Sequence, residues 1–205
     1  MILDSFITTI AEPSKHREYC FELAKNSLLM SGMVPMTIRA PLFHRFLAAE
    51  YTSKSGYYVV SDDDVISMSP DGILNIIERI KELDRVGILC MAPKKMTLKA
   101  ELGEQYLGSI AGGVHEVRAP KGIMVIKKGI LPVTPESWKG QKMEPWTKKY
   151  LNKGIMDTEV IGMMVREQGY KVAMDTNNYF HHLGEGYSTI LQENNMTLES
   201  MVTFG

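Results

Sequence analysis

Residues 57–92 read YYVVSDDDVISMSPDGILNIIERIKELDRVGILCMA. The stretch opens on an apolar run suited to a buried strand and passes three aspartates to Ser69-Pro70-Asp71-Gly72. There Ser69 suits a helix cap, Pro70 the first helical position, and Asp71 the positive helix end. Ile73, Ile76, Ile77, Ile80 and Leu83 recur at helical spacing, with Glu78, Arg79, Lys81 and Glu82 facing away. RVGILCMA (85–92) then reads as a strand buried on both faces, as in a parallel sheet. Strand, helix, strand in this order predicts an α/β layered fold.

The flanks extend the alternation. SFITTI (5–10) predicts a strand. HREYCFELAKNSLLM (16–30) predicts a helix ending near Gly32, with Tyr19, Leu23 and Ser27 on one stripe beside Phe21, Leu28 and Leu29. VPMTIRA predicts a short strand and LFHRFLAAEYTSKSG a helix. Beyond residue 92, GGVHEVR, the turn APKG and IMVIKK suggest two antiparallel strands, and 127–150 is loop-rich. A helix from about Thr158 to Gln168 closes at Gly169, and KVAM and NYFHH predict two more strands.

Composition narrows the class. At 205 residues the chain suits one domain with a substantial core. Its 23 basic and 24 acidic residues give a formal net charge of −1, which argues against a globally basic nucleic-acid binder. Two cysteines, Cys20 and Cys90, sit in no metal or redox spacing and fit a reducing compartment. No apolar run approaches the ~18 residues of a membrane span, and the start lacks the order of a signal peptide, so a cytoplasmic protein without an integral membrane segment is expected.

Asp62, Asp63 and Asp64 are the first chemical signal. In open α/β sheets ligands bind beyond the carboxyl ends of the strands, where these residues fall. Three adjacent carboxylates repel one another, and a hard divalent cation bridging to a phosphate would relieve that repulsion. In an extended run Asp62 and Asp64 share a face and address one ion. The same tripeptide also reads as a solvated turn.

The run HRFLAAEYTSKSGYYVVSDDDV resembles the helix, connection and strand that deliver the Asp-x-Asp motif of nucleotide-sugar glycosyltransferases of the A-type fold, family 2-like. The resemblance implies a Rossmann-like GT-A fold: a mixed, mostly parallel sheet flanked by helices, with a small antiparallel hairpin. It implies that Asp62 and Asp64 hold Mn²⁺ or Mg²⁺, with Asp63 near the ribose or sugar. MDTEVIGMMVREQGYKV (156–172) resembles the family's acidic segment, which makes Asp157 the base that deprotonates the acceptor. Met156 stands where the family has Glu, and Glu159 is a candidate to contribute instead; helix capping is the other reading of Asp157. YFHHLGEG resembles the late histidine that completes the metal shell, and His182 matches better than His181. An imidazole suits Mn²⁺ better than Mg²⁺.

By the same resemblance TTIAEPSKHREY would border the nucleotide, implicating Thr9, Ala11, Glu12 and Arg17, while Arg39 and Arg45 are candidates for the diphosphate. Softer candidates are Gly112, Gly113, His115 and Glu116 near a sugar, and Trp138, Trp146, Lys148, Lys149 and Lys153 near the acceptor. The expectation is a single domain: 1–92 binding the nucleotide sugar, 93–186 binding the acceptor and catalysing, and 187–205 a tail. Its activity would be metal-dependent, inverting transfer from a UDP- or GDP-sugar to a hydroxyl of a glycan, protein, lipid or modified DNA base. The alternatives are a non-catalytic sugar-nucleotide-binding homologue or a nucleotidyltransferase, whose usual Gly-rich basic loop after the first strand is absent.

Overall fold

The computed structural model describes residues 3–9, 15–40, 44–93, 112–133 and 157–183. In chain order these form β1 (Asp4–Thr9), α1 (Lys15–Met30), β2 (Met36–Arg39), α2 (His44–Thr52), β3 (Tyr57–Asp62) and β4 (Val65–Ser67). Then follow α3 (Pro70–Glu82), β5 (Val86–Pro93), β6 (Val114–Glu116), β7 (Ile123–Lys127), α4 (Asp157–Glu167) and β8 (Lys171–His182). Ala11, Glu12, Trp138, Trp146, Lys148, Lys149 and Lys153 lie outside the described residues, as does the side chain of Asp157.

One sheet runs β2-β1-β3-β7-β5-β8-β4, with β6 also on β8. The parallel pairs are β1 with β2, β1 with β3, and β5 with β8; β7, β4 and β6 run against their neighbours. Thus β2, β1, β3, β5 and β8 share one direction and β7, β4 and β6 oppose it, and the fold class is the expected mixed α/β one.

Successive strand residues point to opposite faces, and each face carries its own helices. Phe6, Tyr58, Val60, Ile88 and Cys90 pack with Phe46 and Leu47 of α2 and Val160 and Ile161 of α4. Ile7, Val59, Leu89, Met91 and Val125 pack with Ala24 and Leu28 of α1 and Ile73, Ile76, Ile77 and Ile80 of α3. Phe6 meets Tyr58 edge-on, with ring centroids 5.9 Å apart. β5 is buried along its whole length, as its apolar run predicts.

Four expectations change in detail. The buried stripe of α1 is Cys20, Leu23, Ala24, Ser27 and Leu28, leaving Tyr19 and Leu29 exposed. Small residues lie in that stripe because α1 sits close to β4: the Ser67 amide donates to Ser27 Oγ at 2.9 Å. Ser69 occupies the cap position of α3 but makes no side-chain cap bond. Instead Ser67 Oγ donates to the Ser69 carbonyl at 2.5 Å.

β6 and β7 do not form a hairpin with each other. β7 inserts between β3 and β5, and β6 goes to the outer edge of β8. The two strands expected from KVAM and NYFHH are one, β8, interrupted in its pairing with β5: Met91 faces Asp175, but Ala92 faces Tyr179. The extra residues 176–178 form a bulge, stabilised by Asp175, whose carboxylate accepts from the Asn177 amide and the Asn178 side chain, each at 2.9 Å.

Bulges bend strands, and here the bend carries the end of β8 back across the sheet. β8 passes over Gly122 so closely that a Cβ there would lie 2.5 Å from the Phe180 ring. Gly122 also has φ +65°, a conformation L side chains rarely adopt. The end of β8 thus reaches β4, where Val65 faces His182.

Candidate functional site

The chain leaves β1 through α1 to reach β2 on one side, then returns through α2 to reach β3 on the other. α1 and α2 lie on opposite faces, so a crevice opens between the carboxyl ends of β1 and β3. Thr9 ends β1 and Asp62 ends β3. The aspartates stand at this switch point.

They are not an extended run. Asp62 is the last residue of β3, and Asp63 and Asp64 form the turn into β4. The three carboxylates consequently find three different partners.

Asp63 points inward and is fully buried. Thr9 Oγ1 donates to Oδ2 at 2.5 Å. Arg17 donates through Nη2 to Oδ1 at 2.7 Å and through Nε to Oδ2 at 2.9 Å, a two-pronged contact. A buried carboxylate persists only when paired and fully hydrogen-bonded, and this one ties the end of β1 to the first turn of α1. The bond to Asp63 outweighs partial burial and pushes the Arg17 pKa further up, helped by the charges of Asp63, Asp64 and Asp62. The resemblance implied contact of Asp63 with the ribose or sugar; its carboxylate instead supports the crevice from beneath.

Asp64 Oδ2 lies 3.5 Å from His182 Nε2 and 3.6 Å from Arg17 Nη2. The Leu183 amide donates to the Asp64 carbonyl at 2.5 Å, fastening the end of β8 to the turn. His182 is half exposed while His181 is buried, as neighbouring strand residues should be. Asp62 Oδ1 lies 3.3 Å from Arg45 Nη2, and the Arg45 guanidinium rests 5.0 Å from the Phe46 ring centroid. Below the turn, Cys20 Sγ donates to the Leu183 carbonyl at 3.3 Å. Burial first, then the charges of Asp64 and Asp63, push this thiol up to about 11.

A cleft of about 350 Å³ opens beside Thr9, lined by Glu18, Phe21, Glu22 and Arg39. Arg39 therefore faces this cleft on the α1 side, apart from Arg45. Glu18, Phe21 and Glu22 were absent from the sequence candidates. Their signal is spacing: they fall one, four and five residues after Arg17 and so share its side of the first turns of α1.

The other candidates are elsewhere. Glu159 pairs with Arg118 at 2.5 Å on the α4 side. Glu116 pairs with Lys171 at 3.5 Å, near the start of β8. Gly113 has φ +140°, and its carbonyl accepts from the Thr176 amide and hydroxyl, so it serves the bulge.

Among the described residues no group of three or more His, Cys, Asp and Glu side chains converges as a metal set. Asp64 and His182 do converge, and a carboxylate with an imidazole is a donor pair of the kind that suits Mn²⁺, although Arg17 flanks the same carboxylate oxygen. Among the described residues no helix is long and apolar enough to cross a membrane.

The fold has solved counterparts. A UDP-glucose pyrophosphorylase complexed with UDP-glucose superposes with a TM-score of 0.56 at 9% identity, covering 94% of this chain and 98% of that one. An inositol-1-phosphate CTP transferase from T. maritima (TM-score 0.48, 12% identity, 100% and 98% covered) also matches. So does a glycosyltransferase involved in glycosylation of the major capsid of PBCV-1 (0.43, 13%, 95% and 100%). The first of these shows the fold of the chain; the other two are too distant in geometry to add to it. No family model and no curated protein matches the sequence.

Proposed function

We propose that the chain is a nucleotide-sugar-dependent transferase, in its finer form a metal-dependent glycosyltransferase of the A-type fold. The observation that carries this reading is the Asp62–Asp64 turn at the β1/β3 switch point, met by Arg17 and Arg45 from two helices and by His182 from the far end of the chain.

The crevice would take a UDP- or GDP-sugar, with the nucleotide toward Thr9 and Arg39 and the diphosphate at the aspartate turn. Asp64 and His182 would hold Mn²⁺ or Mg²⁺, the imidazole favouring Mn²⁺. Asp62, now held by Arg45, would join them when that arginine turns to the diphosphate. A bound ion supplies positive charge to the departing nucleoside diphosphate. Asp157, at the head of α4, would take the proton of the acceptor hydroxyl as it attacks the anomeric carbon, which inverts configuration.

A second reading, nucleotidyl transfer, draws on the likeness to the UDP-glucose pyrophosphorylase structure. Against it, IAEPS between β1 and α1 contains no glycine to cradle a triphosphate.

A thermal-shift panel of sugar nucleotides with and without Mn²⁺ tests both. At a hundred times Kd a ligand adds about 2.7 kcal/mol, or roughly 5–10 °C for a chain of this size. Stabilisation should require Mn²⁺ and should vanish in Asp64→Ala. Glycosyl transfer releases nucleoside diphosphate from the sugar nucleotide. Nucleotidyl transfer releases pyrophosphate from a nucleoside triphosphate and a sugar 1-phosphate, and binding without either product identifies a non-catalytic homologue. If no nucleotide stabilises the protein in a metal-dependent way, the reading fails.

A further inference from the structure

On the α4 side of the sheet, across from the Thr9 cleft, Arg118, Glu159, Met163 and Arg166 line an open cleft of about 450 Å³. Glu159, Met163 and Arg166 follow one another at four and three residues and so share one face of α4. Val160, Ile161, Met164 and Val165 point the other way into the core. Two guanidinium groups and one carboxylate line the cleft, and the nearby Glu116, whose charge also reaches Arg166, is itself paired with Lys171 at 3.5 Å.

Glu159 is already engaged by Arg118 at 2.5 Å. Arg166 has no such partner: Nη1 donates a long 3.4 Å bond to the Val117 carbonyl, and among the described residues no carboxylate lies within 4 Å of its guanidinium. The group is partly withdrawn from water, and this burial pulls its pKa below the ordinary arginine value; the charge of Glu116 opposes the shift, Arg118 adds to it, and Glu159 opposes it in turn. Gly162 explains how it comes to sit there. A Cβ at 162 would lie 2.3 Å from the Arg118 carbonyl and 3.4 Å from Arg166 Nη2. Lacking one, α4 lies directly against the 117–118 backbone with the Arg166 guanidinium tucked over the gap. A guanidinium carries five N–H donors, and those of Arg166 are not sealed in the core but open to the cleft, where an anion can meet them.

We propose that this cleft is a binding site for the phosphoryl group of a small molecule. Arg166 supplies the two-pronged contact and Arg118 the second cation. A phosphoryl group suits the pair better than a carboxylate because its charge, near −2 at neutral pH, answers two guanidinium groups. Glu159 stays on Arg118, which orients that side chain, limits affinity, and places the phosphoryl group toward Arg166. The site is independent of the nucleotide reading above.

The test titrates the full chain with inorganic phosphate, and separately with glucose 1-phosphate, against chloride at fixed ionic strength and pH 7.5, by calorimetry. Saturable binding is expected, weakened at least tenfold in Arg166→Gln and strengthened in Glu159→Gln, where a repelling charge is gone. Arg39→Gln, which changes a cation in the Thr9 cleft, should bind as the parent does. Arg166→Lys, which keeps the charge without the fork, should fall between parent and Arg166→Gln, and serves if the glutamine variant does not fold. Tighter binding of glucose 1-phosphate identifies a phosphorylated small molecule as the source, and equal binding identifies free phosphate. Absence of saturable binding, or binding lost in Arg39→Gln and retained in Arg166→Gln, overturns the proposal.

Discussion

Asp63 is the residue on which the crevice is built. Its neighbours in sequence are also aspartates, yet it alone is sealed from water, between Thr9 of β1 and Arg17 of α1. Removing one partner of a buried pair leaves the other uncompensated, at about 3–5 kcal/mol when both are sealed. Arg17 remains a third exposed, so Asp63→Ala should cost less, about 2–3 kcal/mol in a urea titration. Asp63→Asn, which still accepts from Thr9, should cost less again. A loss below about 0.5 kcal/mol in Asp63→Ala would show that the pair carries no structural weight. The sequence marks the triplet as unusual, but not which carboxylate turns inward. That depends on the turn at Asp63–Asp64 breaking the strand alternation, and on Arg17 arriving from a helix 46 residues earlier.

At the scale of elements, β8 decides whether there is a site at all. Its lower half lies between β5 and β6, and its upper half, bent by the bulge at 176–178, carries His182 to Asp64. Gly122 is the point it crosses. Gly122→Ala would place a methyl group in the Phe180 ring and force an unfavourable φ, so a loss of about 2 kcal/mol or more is expected. The same variant should weaken Mn²⁺-dependent nucleotide binding by displacing His182, read as a loss of the metal-dependent thermal shift; unchanged stability and shift would contradict this account. KVAM and NYFHH are each legible as strand, since both have strand-forming composition. Their fusion is not legible, because Asp-Thr-Asn between them has the composition of a turn. Likewise GGVHEVR and IMVIKK look like a hairpin, but hairpin pairing is decided by competing partners, and β3, β5 and β8 offered longer apolar ladders.

Across the whole molecule, buried acids set the alkaline limit of stability. Burial pushes the thiols of Cys20 and Cys90 up to about 11 and about 12 from an ordinary 9.0. Burial, with Glu50 beside it, pushes Tyr58 well above its ordinary 10.0. Each group keeps its proton in the folded state after the unfolded chain has released it. Their contribution is therefore full below pH 9 and declines as pH rises toward 11 and beyond. The urea midpoint should fall between pH 8 and pH 10.5, and a midpoint constant over that interval would contradict the burial of these groups. Asp4 acts at the acid end. Burial opposes its ionisation, but the amides of Lys54 and Ser55 and the hydroxyls of Ser53 and Ser55 together hold its pKa below 3.8. Its contribution is present above that value and is lost as pH falls through the folded pKa.

What the sequence by itself determined is the alternation of strands and helices, the two apolar faces of the sheet, and the carboxylates at the end of β3. These are local consequences of periodicity, capping and strand composition. What only the tertiary structure decided is which distant groups meet: Arg17 with Asp63, Arg45 with Asp62, and His182 with Asp64. Those meetings follow from strand order, from a bulge, and from one glycine that lets a strand cross, and each depends on packing between segments far apart in the chain rather than on any local pattern.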